Sequence, residues 1–320
     1  MKILIELPTW LGDTIMTTPA IENIVKEHPD VKITLFGSFV SIEILKKHPN
    51  VVKTILDDSK KANFRFINLY KKAKSLGEFD KAFSFRRTLS SRFFLFCISS
   101  KNRFGYKRYI KEQIHQVQRY NDFVNRSLGS DYVAADLKLY YKPKQFSKPT
   151  LGINPGATYG SAKRWYPDRF AEVAYTFASK YDIVIFGGEN EIDMAKDIET
   201  ALVEKGVKNF TNLAGATSIV ELTKQIAGLS LFITGDSGPM HIAAAYKIPS
   251  ICLFGPTKCL ETSQWKNPFG KIVRFELECS PCMKRECPLG THECMKLIEA
   301  DMVIKEVQDI INQKYIARKN

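Results

Sequence analysis

The sequence predicts an α/β protein of two doubly wound domains in tandem, and three observations carry that expectation. Short apolar runs alternate with longer stretches of helical periodicity, the alternation recurs on both sides of one irregular break, and several apolar runs end at a glycine or at a polar residue leading into one. With 320 residues, 44% hydrophobic and 25% charged, the chain is long enough to bury two cores.

Taken in order, the apolar run 3–7 stops at Pro8, and Ile15, Met16, Ala20, Ile21, Ile24 and Val25 then recur at helical spacing, giving strand, loop, helix. A second strand is expected over 31–36, ending at Gly37, with weaker candidates at 51–56 and 81–85. The stretch 141–150 (YKPKQFSKPT) carries two prolines and three lysines without periodicity and reads as a linker. Beyond it, 151–154, 183–186, 231–234 and 250–254 read as buried strands. Pro167 suits a first helical turn, and Ser218 followed by Glu221 is a capping-box pattern. A first domain over 1–145, a second over 151–300 and a terminal helix over 301–320 follow. Two such domains leave a cleft faced by loops from the carboxyl ends of both sheets, where chemistry is expected.

Lys and Arg outnumber Asp and Glu by 47 to 34, a formal charge of +13, so an anionic partner is expected. The excess is dense over 60–120, where Lys60, Lys61, Arg65, Arg86, Arg87, Arg92, Arg103, Lys107, Arg108 and Lys111 alternate with Phe and Tyr. This region reads either as a solvated basic face or as a surface for an anionic acceptor. No run of about 18 apolar residues occurs, and MKILIELP is too short for a signal peptide, so the expected location is the cytoplasm.

Five clusters have residue types suited to chemistry. Leu11-Gly12-Asp13-Thr14 puts a carboxylate at a helix start, where backbone N–H groups favour its ionised form; helix capping and proton acceptance both fit. Residues 154–165 (NPGATYGSAKRW) combine a strand end, two glycines and the cations Lys163 and Arg164, suited to a diphosphate, and match neither the Walker A spacing nor GxGxxG. Residues 234–241 (TGDSGPMH) follow an apolar strand, with an anion site expected at the N–H groups of Ser237, Gly238 and Met240 and sugar hydroxyls at Asp236; His241, at the expected start of the next helix, fits a structural or a functional role. Glu189 and Glu191 follow the turn Gly187-Gly188 and suit a ribose diol, with no way to choose between them. Finally Cys279, Cys282, Cys287 and Cys294 lie within 16 residues; free thiols in a packed loop are expected, with structural zinc as the other reading, because the spacing is not a pair of CxxC knuckles.

Taken together, LPTWLGDTIMTTPAI, NPGATYGSAKRWYPDRF, NLAGATSIVELTKQIAGLSLFITGDSGPMHIAAA, FGPT and CSPCMKRECPLGTHECM resemble the ADP-heptose:lipopolysaccharide heptosyltransferases, glycosyltransferase family 9, and the cysteine loop is more similar to heptosyltransferase II than to I. The resemblance spans nearly the whole chain. It implies a GT-B architecture of two Rossmann-like domains, the N-terminal one binding acceptor and the C-terminal one binding ADP-heptose. It further implies Asp13 as general base, Lys163 on the diphosphate, Glu191 on the ribose, and Asp236, Ser237, Gly238 and His241 holding heptose and phosphates, with Thr158 also at the donor. Ser237 stands where the family often has Thr, which keeps the hydroxyl.

The implied reaction is inverting transfer from ADP-L-glycero-beta-D-manno-heptose to the heptose of a lipid-linked inner-core acceptor. The runners-up are first-heptose transfer to Kdo-lipid A and another GT-B sugar-nucleotide enzyme. No Asp-x-Asp motif calls for a divalent ion, so no cofactor is expected. Arg86 and Arg103 are the expected acceptor contacts, and the anionic inner face of the cytoplasmic membrane is the expected docking surface. A nicotinamide dehydrogenase is disfavoured by the absent GxGxxG, and nucleic acid is not expected because it would leave the phosphate loops unexplained.

Overall fold

The computed structural model describes residues 1–59, 63–156 and 159–319, with side chains up to residue 313. Lys60, Lys61 and Thr158 of the expected sites lie outside the described residues. The chain divides into two compact units, Met1–Tyr141 and Lys142–Asn320.

The first unit is a parallel sheet of β1 (Lys2–Glu6), β2 (Lys32–Gly37), β3 (Val51–Leu56), β4 (Glu78–Ser84) and β5 (Ser99–Gly105) in the order β3-β2-β1-β4-β5. Parallel neighbours need crossovers, which α1 (Leu11–Met16), α2 (Thr18–Glu27), α3 (Phe39–Leu45), α4 (Arg65–Ser75) and α5 (Leu89–Cys97) supply before α6 (Gln116–Leu128) closes the unit. Central β1 is covered on both faces, with Ile3, Leu4 and Ile5 at most 1% exposed, which is why it reads as an unbroken apolar run. The helix expected across 15–25 is two helices meeting at Thr17. Pro19 sits in the first turn of α2, where its missing N–H costs no hydrogen bond. Gly129 ends α6 at φ 72, a left-handed conformation that favours glycine.

The second unit orders β6 (Thr150–Asn154), β7 (Asp182–Ile185), β8 (Phe210–Asn212), β9 (Leu231–Gly235), β10 (Ser250–Phe254) and β11 (Gly270–Arg274) as β11-β10-β9-β6-β7-β8, all parallel. Its helices are α7 (Pro167–Phe177), α8 (Ile192–Glu204), α9 (Ile219–Ala227), α10 (Gly238–Ala245), the short α11 (Cys259–Thr262) and α12 (Glu293–Lys296), and α13 (Ala300–Lys319). Ser218 caps α9 by accepting from the Glu221 N–H at 3.1 Å. Val303, Val307 and Ile310 of α13 join the core built on Leu151, Ile153, Ile183 and Ile233, so the terminal helix belongs to this unit. Buried Trp165 ties in the segment before it, its Nε1 donating to the Ile298 carbonyl at 2.8 Å.

Candidate active site

In the first unit, the turn from β1 into α1 is held by its own neighbours. The Arg86 Nε donates to the Leu7 carbonyl at 2.5 Å, Ser41 Oγ to the Pro8 carbonyl and Ser38 Oγ to the Thr9 carbonyl at 2.9 Å. Thr14 Oγ1 lies 2.9 Å from the Trp10 carbonyl. Four successive carbonyls that no sheet partner can reach are thus satisfied by side chains, which fixes the turn carrying Asp13. Asp13 is the third residue of α1 and half-buried. Its charge reaches Tyr120, whose hydroxyl is pushed well up first by burial and then by Asp13. Tyr106, Gln116 and Arg108 surround the same hydroxyl, and the Gln116 side chain donates to Tyr106 at 2.9 Å.

Beneath this turn lies a buried charge cluster. Glu6, 2% exposed, accepts from Ser84 at 2.5 Å and Ser91 at 2.8 Å. Arg86 pairs with Asp57 at 2.8 Å and stands 3.5 Å from Glu6. Burial pushes the Glu6 carboxyl up while Arg86 pulls it back. For Asp57, burial is outweighed by hydrogen bonds from Ser59 and Arg86 and by the Arg86 charge, so it is held low. The expectation that Arg86 is displayed to an acceptor is therefore corrected. Its side chain is 8% exposed and engaged by two carboxylates and a carbonyl, because a carboxylate as deeply placed as Glu6 needs a cation beside it. Arg103 is exposed, but its Nε and a terminal nitrogen both donate to the Ile98 carbonyl, at 2.9 and 2.7 Å.

The second unit brings Lys163, Asp236, Ser237, Gly238 and His241 together at the carboxyl ends of β6 and β9. The Lys163 Nζ stands 2.5 Å from the Asp236 carboxylate and 3.2 Å from its carbonyl, with the Tyr159 ring 4.6 Å away. Thr257 donates to the same Asp236 oxygen at 2.6 Å. Ser237 is the N-cap of α10, its hydroxyl 3.1 Å from Thr234, so the first helical N–H groups follow directly after Asp236. The helix starts at Gly238 rather than His241, which places His241, 3% exposed, within its first turns.

The structure also separates the two glutamates. Glu189 is exposed, whereas Glu191 is turned under the loop, accepting from the Gly188 N–H at 2.5 Å. A Cβ on Gly156 would stand 2.2 Å from the Glu191 carboxyl carbon, so the glycine makes room for this acid.

The cysteine segment backs the Lys163 turn. Ala162 N–H donates to the Arg285 carbonyl at 3.0 Å, Tyr159 OH to the Met283 carbonyl at 2.8 Å, and His292 Nε2 lies 2.9 Å from the Ala162 carbonyl. A Cβ on Gly160 would lie 2.2 Å from the Arg285 oxygen, so the approach requires glycine. The four thiols line one cavity with His292 and form no disulfide. Backbone N–H groups from His292 and Leu289 onward hold the Cys287 thiol low, and burial with the neighbouring sulfurs pushes Cys294 up to about 11. Among the described residues no three His, Cys, Asp or Glu side chains are arranged to hold a metal ion.

Tandem doubly wound domains, one offering a carboxylate on a pinned turn and the other a lysine beside a helix start, have the architecture of a GT-B glycosyltransferase. Solved structures agree on the fold: Escherichia coli ADP-heptose lps heptosyltransferase II superposes with TM-score 0.80 at 22% identity, covering 98% of this chain and 100% of that one. E. coli heptosyltransferase WaaC with ADP superposes with TM-score 0.78 at 18% identity, covering 97% and 100%. The profile of glycosyltransferase family 9 (heptosyltransferase) matches residues 70–292, and lipooligosaccharide heptosyltransferase 2 of Campylobacter jejuni is 40% identical over 99% of this chain and 100% of its own length. The chain belongs to glycosyltransferase family 9 and is an enzyme of the heptosyltransferase class.

Sequence reasoning missed Tyr120, Tyr106 and Gln116, which no motif marks, and gave no role to Thr257, although FGPT was part of the resemblance. A hydroxyl directly after a strand-ending Gly-Pro was the available signal.

Proposed function

We propose that this enzyme transfers heptose from ADP-heptose to the heptose of a lipopolysaccharide or lipooligosaccharide inner core, with inversion. The observation that carries the reading is Lys163, held at 2.5 Å by Asp236 at the very start of α10. A cation and free-standing helical N–H groups in one place suit a diphosphate leaving group. The relative crystallised with ADP and the relatives named for lipooligosaccharide support donor and acceptor respectively.

In this mechanism Asp13 takes the proton of the attacking acceptor hydroxyl while that oxygen bonds to the anomeric carbon from the face opposite ADP. The anomeric C–O bond breaks toward the diphosphate, and Lys163 with the N–H groups around Ser237 and Gly238 takes up the leaving charge. Glu191 receives the ribose diol, Asp236 and His241 position the heptose, and Thr158 completes the donor contacts. Arg108, exposed and with its charge felt at Tyr120, is better placed than the buried Arg86 for an acceptor anion. The reaction runs without a metal ion. The N-terminal unit binds the acceptor, and the protein works at the anionic cytoplasmic membrane surface; no helix among the described residues is long and apolar enough to cross a membrane.

The test is transfer from ADP-heptose to purified lipid-linked core bearing no heptose or one, with mass analysis of the product. Addition only to the one-heptose core is the expected result. Addition to the heptose-free core makes this a first-heptose enzyme, and no addition to either overturns the proposal.

A further inference from the structure

The first unit carries an outward face that the transfer mechanism does not use. Helices α4 and α5 pack together and against the sheet through Leu69, Ala73, Phe94 and Cys97. Beside the buried seam α4 carries an exposed apolar strip, and the outer side of α5 is apolar as well, where a solvated helix would be polar. On α4, Phe66, Ile67 and Tyr70 are 44%, 54% and 49% exposed, and their spacing puts them on one stripe. On α5, Leu89 and Phe96 are 73% and 80% exposed, seven residues apart and again on one stripe. The Phe66 ring meets the Phe93 ring at 5.1 Å, edge to face, so the two stripes form one continuous patch.

Charge says what covers it. Neither helix contains Asp or Glu, while α4 continues its exposed stripe with Lys71 and Lys74 and α5 carries exposed Arg92 between Leu89 and Phe96. The cations sit beside the aromatics, the layout of a helix that lies in a membrane interface. A second copy of this chain would bring like charges together across the patch, whereas an anionic bilayer offers both phosphates and an apolar layer.

We propose that the outward stripes of α4 and α5 are a membrane-insertion face for anionic phospholipid. Phe66 and Phe96 enter the boundary between headgroups and acyl chains, and Lys71, Lys74 and Arg92 meet lipid phosphates. The inference deepens the proposed membrane-surface role, replacing diffuse attraction over 60–120 with an insertion site on two helices.

The experiment is cosedimentation of the full-length protein with vesicles of phosphatidylethanolamine and phosphatidylglycerol containing no glycolipid. Wild type is expected to sediment with these vesicles and to stay in the supernatant with phosphatidylcholine alone. The double variant Phe66→Ser/Phe96→Ser keeps every charge and is expected to lose affinity by about tenfold or more. Phe66→Leu/Phe96→Leu retains binding, and Lys71→Glu/Lys74→Glu loses it. The single variant Phe96→Ser, at a ring 80% exposed, is expected to melt as wild type does and still to bind these vesicles more weakly, which separates membrane binding from any stability lost with the Phe66–Phe93 contact. The proposal is overturned if wild type fails to bind, if the serine variant binds as wild type does, or if its only effect is to dissociate a dimer in sedimentation velocity. Since the vesicles carry no acceptor, such a result leaves heptose transfer untouched, and failed transfer with intact vesicle binding would count against the transfer reading alone.

Discussion

The two units solve the problem of positioning a functional group at the end of a strand in opposite ways. Around Asp13 the backbone is fixed by side chains: Arg86, Ser41, Ser38 and Thr14 occupy the carbonyls of residues 7–10, and a buried ion cluster lies underneath. Around Lys163 and Glu191 the backbone does the fixing: Gly156 admits the Glu191 carboxyl, Gly160 admits the Arg285 carbonyl, and α10 begins at Gly238. The first arrangement suits a group that must stay still. The second suits an anionic ligand whose charge would meet backbone N–H groups beside the Lys163–Asp236 pair.

The sharpest way to break this contrast is Asp13→Asn, which removes the proposed base and leaves its cage intact. Turnover is expected to fall on the order of a thousandfold with ADP affinity unchanged by calorimetry; near-normal turnover would take Asp13 out of the mechanism. Arg86→Leu attacks the cage itself. It leaves Glu6 and Asp57 without their cation, and a loss of about 3 kcal/mol in urea unfolding is expected, whereas a leucine variant as stable as wild type would make the cluster incidental.

On the other side, Lys163→Ala is expected to lower kcat/KM about a hundredfold and to weaken ADP binding, with some loss of melting temperature because Asp236 is left without its cation. Unchanged ADP affinity by calorimetry would take the lysine out of the donor site. The smallest effect is expected at Glu22, which lies away from either turn. Burial raises its carboxyl, but His48, Tyr140 and Lys138 outweigh that and hold it at about 2. Its charged form therefore stabilises the fold above its ordinary range near 4.5, and that contribution is lost as pH falls toward 2. Glu22→Gln should lower the melting temperature modestly at neutral pH and flatten its acid dependence; parallel melting-versus-pH curves would remove Glu22 from acid unfolding.

The inner strands were legible in the sequence, because strands covered on two faces read as apolar runs, and β10 matches the expected 250–254 residue for residue; β3 matches 51–56 although it is an exposed edge strand, because Val51, Val52, Ile55 and Leu56 make it apolar in its own right. The strands that escaped are β5, β8 and β11, each at a sheet edge. With one side open, residues such as Lys101, Asn102 and Arg103 are compatible with a ladder and give no apolar run. Site residues followed the same logic. That Lys163, Asp236 and Ser237 lie close together was legible because each belongs to a contiguous motif at a strand end, whereas the choice of Glu191 over Glu189 came from the resemblance alone. Tyr120 reaches Asp13 only through the packing of α6, and Arg86 looks in sequence like any other cation of a basic stretch. Its burial depends on Glu6 and Asp57, which lie 80 and 29 positions away.

The brace behind the Lys163 turn acts through the carbonyls of Met283 and Arg285, and the Arg285 guanidinium also lies 5.4 Å from the centre of the Tyr159 ring. Side-chain identity at Lys284 and Glu286 is thus expected to matter little to the Lys163 turn, provided the chain's path is kept, whereas Arg285 contributes its ring contact as well as its carbonyl. Gly160 has no such latitude, since a single added carbon collides with the Arg285 carbonyl. Mutational tolerance in this corner of the enzyme is set by which partner lends its main chain, so a saturation scan should find a permissive loop facing one intolerant glycine.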